Sequence, residues 1–170
     1  MIPNVFTSVF SVAVLAGACN ICHANETKNA HGLKPTGLRT GLVAFDARGQ
    51  PRIYKQGNEF KYEVNGRCVA DGKEYPCQWR GFEFSYESPE EVTEFQCATR
   101  SDRPQAHVYP SKTVATNTKT LYWGFVVTGR KGHYLRPQYT IDLGNQPLRM
   151  AVSCSYKGAE VLKWEITLTP

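Results

Sequence analysis

Hydrophobic and polar residues alternate along much of this chain, most regularly in two runs near its C-terminal end. Leu148, Met150, Val152, Cys154 and Tyr156 share one face of the first run, with Arg149, Ala151, Ser153 and Ser155 on the other. Leu162, Trp164, Ile166 and Leu168 share one face of the second, opposite Lys163, Glu165 and Thr167. Side chains alternate across a strand, so a period of two predicts a pair of half-buried strands. The polar link Lys157-Gly158-Ala159-Glu160 suits a hairpin between them.

The same period predicts strands at 36–45, Glu59–Val64, Phe82–Tyr86 and Thr93–Thr99. Asn65-Gly66 is a strong hairpin signal and would return the chain into Arg67–Ala70. Ser101-Asp102-Arg103-Pro104 should end a strand, and the threonine-rich stretch 106–120 reads as a long loop with room for an edge strand. Leu121–Val127 is apolar almost throughout, as expected of a central strand buried on both faces. Tyr134–Leu143 is a further strand, interrupted by Pro137. The pattern defines an all-β fold, an antiparallel β-sandwich of about eight to ten strands. It contains no convincing helix after the N-terminal segment.

That segment changes the domain picture. Residues 5–18 carry no charge and match a signal-peptide apolar region, shorter than the ~20 residues of a membrane-spanning helix. The expected organisation is a signal peptide over 1–24, a flexible lead over 25–35 and one β-domain over 36–170. Cleavage after Ala24 or after Ala18 satisfies the small-residue rule. The mature chain would then be secreted or periplasmic, with no transmembrane span. Its formal charge of +5 is mild and spread out, and no Lys/Arg run exceeds two residues. This gives no nucleic-acid signature, though it would favour an acidic partner.

Cysteine usage agrees with export. Cys68, Cys77, Cys97 and Cys154 remain after cleavage, and an even number in an exported domain predicts two disulfides. A two-residue loop at Gly72-Lys73 would set Cys68 opposite Cys77 at a non-hydrogen-bonded pair, where Cα atoms lie ~4.5 Å apart. A loop at Asp71-Gly72 would offset them. Pro76 cannot donate a ladder hydrogen bond, so this hairpin belongs at a sheet edge. Pairing 68–77 leaves 97–154 for the core, where the patterns around Phe95 and Val152 point both cysteines inward. The order Cys97, Trp123, Cys154 resembles immunoglobulin domains, and the resemblance implies a tryptophan packed on an inter-sheet disulfide. Trp123 stands later in the chain than in those domains, and Val152 stands where they carry a corner tyrosine.

Candidate chemistry is sparse. Cys19-Asn20-Ile21-Cys22-His23 matches the c-type haem attachment pattern but lies inside the expected signal peptide, so no cofactor is expected. Ala16-Gly17-Ala18-Cys19 is a distant lipobox, and Asn25-Glu26-Thr27 is a glycosylation sequon. His31, His107 and His133 lack metal-ligand spacing, and no serine sits in a G-x-S-x-G elbow. Glu87, Glu90, Glu91 and Glu94 form an acidic cluster that could supply glycosidase-type carboxylates if two faced a cleft. Aromatics beside basic residues at turns are better binding anchors. Tyr75, Trp79 and Arg80 flank the Cys68–Cys77 hairpin, and Arg130, Lys131, His133 and Tyr134 flank a glycine-bounded basic turn. The expected function is an exported, non-catalytic module that binds an extracytoplasmic protein or glycan. An inhibitor of a secreted enzyme or a host-directed effector is a concrete form of it.

Overall fold

The computed structural model describes residues 31–108 and 113–170, with side chains outside 105–117. Among these residues the chain forms β1 (Lys34–Phe45), β2 (Pro51–Gln56), β3 (Glu59–Lys61), β4 (Gly66–Ala70) and β5 (Lys73–Glu87). It continues through β6 (Val92–Val108), β7 (Thr113–Thr128), β8 (Lys131–Thr140), β9 (Leu148–Tyr156) and β10 (Ala159–Thr169). One sheet runs β2-β1-β5-β4, with β8 also paired to β5, and the other runs β3-β10-β9-β6-β7. The pairs are antiparallel except β3 with β10. The segment expected to be a signal peptide, with its haem-like and lipobox patterns and the Asn25 sequon, lies outside the described residues.

The two sheets share one core. β5 turns Phe82, Phe84 and Tyr86 toward the other sheet, and Phe82 meets Trp164 at 4.5 Å and Phe125 at 5.7 Å between ring centroids. The C-terminal pair follows its sequence pattern, with Leu148, Met150, Val152, Cys154 and Tyr156 all buried. Lys157 and Gly158 close it as a two-residue loop, both at positive φ (49° and 82°), matching the right-handed strand twist. Leu33, expected in the flexible lead, is 2% exposed and joins the core.

Several expected details are corrected. Leu121–Val127 is not a central strand, because β7 ends its sheet and alternates, with Tyr122 78% exposed and Val126 46% exposed. Apolar residues on both faces had mimicked two-sided burial. No hairpin forms at Asn65-Gly66: β3 joins the opposite sheet beside β10, while β4 pairs with β5. The Asn65 side chain instead substitutes for a strand neighbour of β5. Its Nδ2 donates to Trp79 O at 3.0 Å and its Oδ1 accepts from Trp79 N at 2.6 Å. Gly66 is needed beside it, since a Cβ there would fall 2.6 Å from the Trp79 ring. β6 runs through Ser101–Pro104 by shifting register, while the edge strand allowed for within 106–120 is the first part of β7, from Thr113.

Both expected disulfides are present, Cys68–Cys77 and Cys97–Cys154. The first arises from the other register. Asp71 and Gly72 both take positive φ (49° and 76°) and form the loop, which sets Cys68 opposite Tyr75 and Cys77 opposite Gly66. The bond therefore runs diagonally, across a Cα separation of 6.1 Å. Cys97 and Cys154 lie directly opposite at 4.0 Å on neighbouring strands of one sheet. This departs from the inter-sheet bond implied by the immunoglobulin resemblance. Trp123 is the cross-strand partner of Cys97 on the other side of β6.

Candidate functional site

The β5–β8 register brings the two sequence-predicted patches onto one surface. Trp79 pairs with Tyr139, Ser85 with His133 and Glu87 with Lys131, so these side chains share a sheet face. From Gln78 to Tyr86 the even-numbered β5 residues are buried, and Tyr75, Trp79, Glu83, Ser85 and Glu87 lie on the opposite face. The hairpin residues mark one end of this outer face and the basic turn marks the other.

At the first end, Trp79 sits edge-on between Phe45 and Tyr139, with both ring separations 5.0 Å. Its indole N–H donates to Arg67 O at 3.0 Å, and the Tyr139 hydroxyl donates to Val69 O at 2.8 Å. The rings cover the disulfide hairpin and present Phe45 to solvent, 42% exposed. Burial raises the Tyr139 pKa, and the Asp71 charge raises it further.

Toward the second end, the Glu83 side chain is 9% exposed although it lies on an outer face. Arg39 from β1 contacts one carboxylate oxygen at 2.5 Å and His133 from β8 contacts the other at 3.2 Å. Gly41 and Gly81 let β2 and β8 approach closely beside them, since a Cβ at Gly41 would collide with Ile53 and one at Gly81 with Arg136 O. Beyond them, Lys131 binds Glu87 at 2.9 Å. That hydrogen bond is the main cause of the lowered Glu87 pKa and the raised Lys131 pKa. Arg130 is exposed in the adjoining turn, where its carbonyl accepts from Ser88 N at 2.7 Å.

Two predicted binding residues leave this surface. Tyr134 turns inward and stacks on Phe125 at 4.7 Å. Arg80 is 8% exposed between the sheets, because the position after Trp79 must face the core. Its Nη1 donates to Gln138 Oε1 at 3.1 Å and its Nη2 lies 3.7 Å from Met150 Sδ, while Nε has no hydrogen-bond partner among the described residues. Burial alone pulls its pKa down to about 10. A buried cation without a carboxylate opposes folding, so Arg80→Met should keep or raise stability, by up to ~1–2 kcal/mol. Urea titration at neutral pH checks this, and a clear loss would show that the Gln138 contact outweighs desolvation. The unfolded side chain keeps its proton more tightly than the folded one, so the penalty is full below about pH 10 and fades as pH rises above it.

Two glutamates of the acidic cluster, Glu87 and Glu90, are held by lysines. Glu90 is bound by Lys157, and that hydrogen bond is the main cause of its lowered pKa, as with Glu87 and Lys131. This is the opposite direction from a general acid working near neutrality. Among the described residues, no group of three His, Cys, Asp or Glu side chains is placed to hold a metal ion. Nor is any helix there long and apolar enough to cross a membrane.

Sequence reasoning missed Phe45, Tyr139, Arg39 and Glu83. Each joins the surface through strand register, and Glu83 carries no local signal that separates it from an ordinary outward glutamate. No known protein-family model matches the chain, and no curated protein matches its sequence.

Proposed function

We propose that the chain is an exported, non-catalytic binding module, made as a cleaved precursor and folded as an immunoglobulin-like β-sandwich. It engages an extracytoplasmic protein through the outer face of the β2-β1-β5-β8 layer. The observation that supports this is the gathering of an aromatic group, Phe45, Trp79 and Tyr139, and a bracketed carboxylate, Glu83 with Arg39 and His133, on that face. Aromatic anchors beside a desolvated charged group are what concentrate binding energy at protein interfaces. The rings meet edge to face at 74–78°, which suits insertion between partner side chains better than a flat platform for a sugar.

Photo-crosslinking residues placed at Phe45 and Ser85 should capture the same protein from the native extracytoplasmic fraction. One placed at Lys163, on the outer face of the other sheet, should not. Capture from Lys163 alone, or Trp79-dependent binding on a glycan array without any protein adduct, would overturn the reading.

A further inference from the structure

Strand β7 carries an edge that no other described strand pairs with and that the outer-face site does not use. Gly129 N–H donates to Glu91 O on the β6 side at 2.7 Å. In an antiparallel ladder, odd-numbered residues of β7 therefore direct backbone groups toward β6 and even-numbered ones direct theirs outward. At one end, the Thr118 hydroxyl donates to Thr120 O at 2.5 Å and accepts from Thr120 N at 3.1 Å, closing that residue's edge groups. At the other end, the Tyr86 hydroxyl donates to Thr128 O at 2.6 Å. The window left between these caps is Tyr122, Gly124 and Val126, symmetric about Gly124.

Other edges are guarded. β2 carries Pro51, Arg52 and Lys55, β4 is five residues long, and β10, which β3 covers only at Thr167–Thr169, carries Glu160, Lys163 and Glu165 along the rest of its edge. On β8, Gly81 pairs with Pro137, and the missing N–H of Pro137 faces the free side. β7 has no charge and no proline from Leu121 to Thr128. An unguarded edge of this kind is a template for another strand.

We propose that the occupant is β7 of a second copy, paired antiparallel across a two-fold axis at Gly124. The segment Thr120-Leu121-Tyr122-Trp123-Gly124-Phe125-Val126-Val127-Thr128 nearly reads the same outward from its centre in both directions. The axis sets Gly124 against Gly124, Tyr122 against Val126, Trp123 against Phe125 and Leu121 against Val127 of the second copy. Narrow pairs at Tyr122, Gly124 and Val126 then exchange both backbone hydrogen bonds. Tyr122 to Val126 is an aromatic to β-branched pair, and the ring also covers the bare surface at Gly124. A Cβ at Gly124 would meet Phe95 O at 2.8 Å, so the site resists any other residue.

Charge fits as well. Lys119 falls opposite Gly129 of the second copy and Arg130 opposite Thr118, so no like charges meet. Sliding by two residues either way would require backbone groups already held by Thr118 or Tyr86, which leaves this register. The contact is isologous and closes as a dimer, with both outer faces of the other sheet left free.

Sedimentation and concentration-dependent hydrogen exchange of the purified protein test this. The expected result is a dimer in which the Tyr122, Gly124 and Val126 amides become protected as dimer forms. A Tyr122→Lys/Val126→Lys variant sets lysine against lysine at both flanking pairs and should weaken self-association at least 100-fold. Tyr122→Lys/Val126→Glu sets opposite charges there and should retain the dimer. Circular dichroism and melting temperature confirm that both variants fold. A wild-type monomer at millimolar concentration, protection of a different set of amides, or equal loss in both variants would overturn the proposal. So would a monomer whose β7 edge is instead taken by a strand of a different protein. None of these outcomes bears on crosslinking from Phe45 or Ser85, so the two readings fail separately.

Discussion

Replacing Phe82 by alanine should cost about 3–5 kcal/mol, a large share of a typical domain's 5–15 kcal/mol. The ring is 0% exposed and stands at the centre of the aromatic core, near Trp164 (4.5 Å), Phe125 (5.7 Å), Trp123 (6.1 Å) and Tyr134 (6.2 Å). It comes from the central strand of one sheet and touches residues of the other, so its removal loosens the contact between the layers. Relaxation should be limited, because β1 and β8 hold β5 on both edges. The void would keep much of its volume, which places the cost toward the upper end of the range. Phe45→Ala is the matched control: its ring is 42% exposed and touches Trp79 only edge-on, so its loss should stay under about 1 kcal/mol. Equilibrium urea unfolding of both variants gives the comparison. A Phe82→Ala loss below about 1.5 kcal/mol would mean the two sheets are not joined through this ring.

What the sequence disclosed follows the range of the signal. Alternation is a local property, and it located β9, β10 and the inward-facing half of β5 residue by residue. It also oriented Cys97 and Cys154 toward the same interior. Register is not local. Cys68–Cys77 was found although its hairpin register was misjudged, because a diagonal pair lies within reach of a disulfide as a direct pair does. Sheet position is less legible still. A strand apolar on both faces is either buried twice or left exposed at an edge, and Leu121–Val127 is the second case. Asn65-Gly66 misled for a related reason: the dipeptide offers a turn, but Asn65 is taken by Trp79's unpaired backbone and Gly66 by its ring.

The candidate surface divides in the same way. Trp79, Lys131 and His133 could be singled out as exposed anchors, but not that they would share a face, since that depends on β5 pairing with β8 across about fifty residues of intervening chain. Arg80 was misplaced because a basic residue beside a tryptophan suggests a surface. The alternation of β5 overrides residue type there and turns the guanidinium into the core.

Loss of the Cys97–Cys154 bond should cost more than loss of the Cys68–Cys77 bond, and the difference tests what each holds together. The first closes a separation of 57 residues and the second a separation of 9. Restriction of the unfolded chain alone predicts about 4 kcal/mol for the longer loop and about 2.5 kcal/mol for the shorter one. Packing widens the gap. Cys154 is 0% exposed beside Val152 and Tyr156, so Cys154→Ala also leaves Cys97 as an unpaired thiol in the core. The shorter bond lies under Trp79 on an outer face, where Asn65 and the Asp71-Gly72 loop also hold the hairpin. The Cys97→Ala/Cys154→Ala and Cys68→Ala/Cys77→Ala double variants, unfolded in urea without reductant, avoid stray thiols. The core pair should lose at least about 1 kcal/mol more than the hairpin pair. Equal losses would mean that the β6–β9 contact holds without its bond, and an unchanged core variant would mean that Cys97 and Cys154 are not bonded in the folded protein.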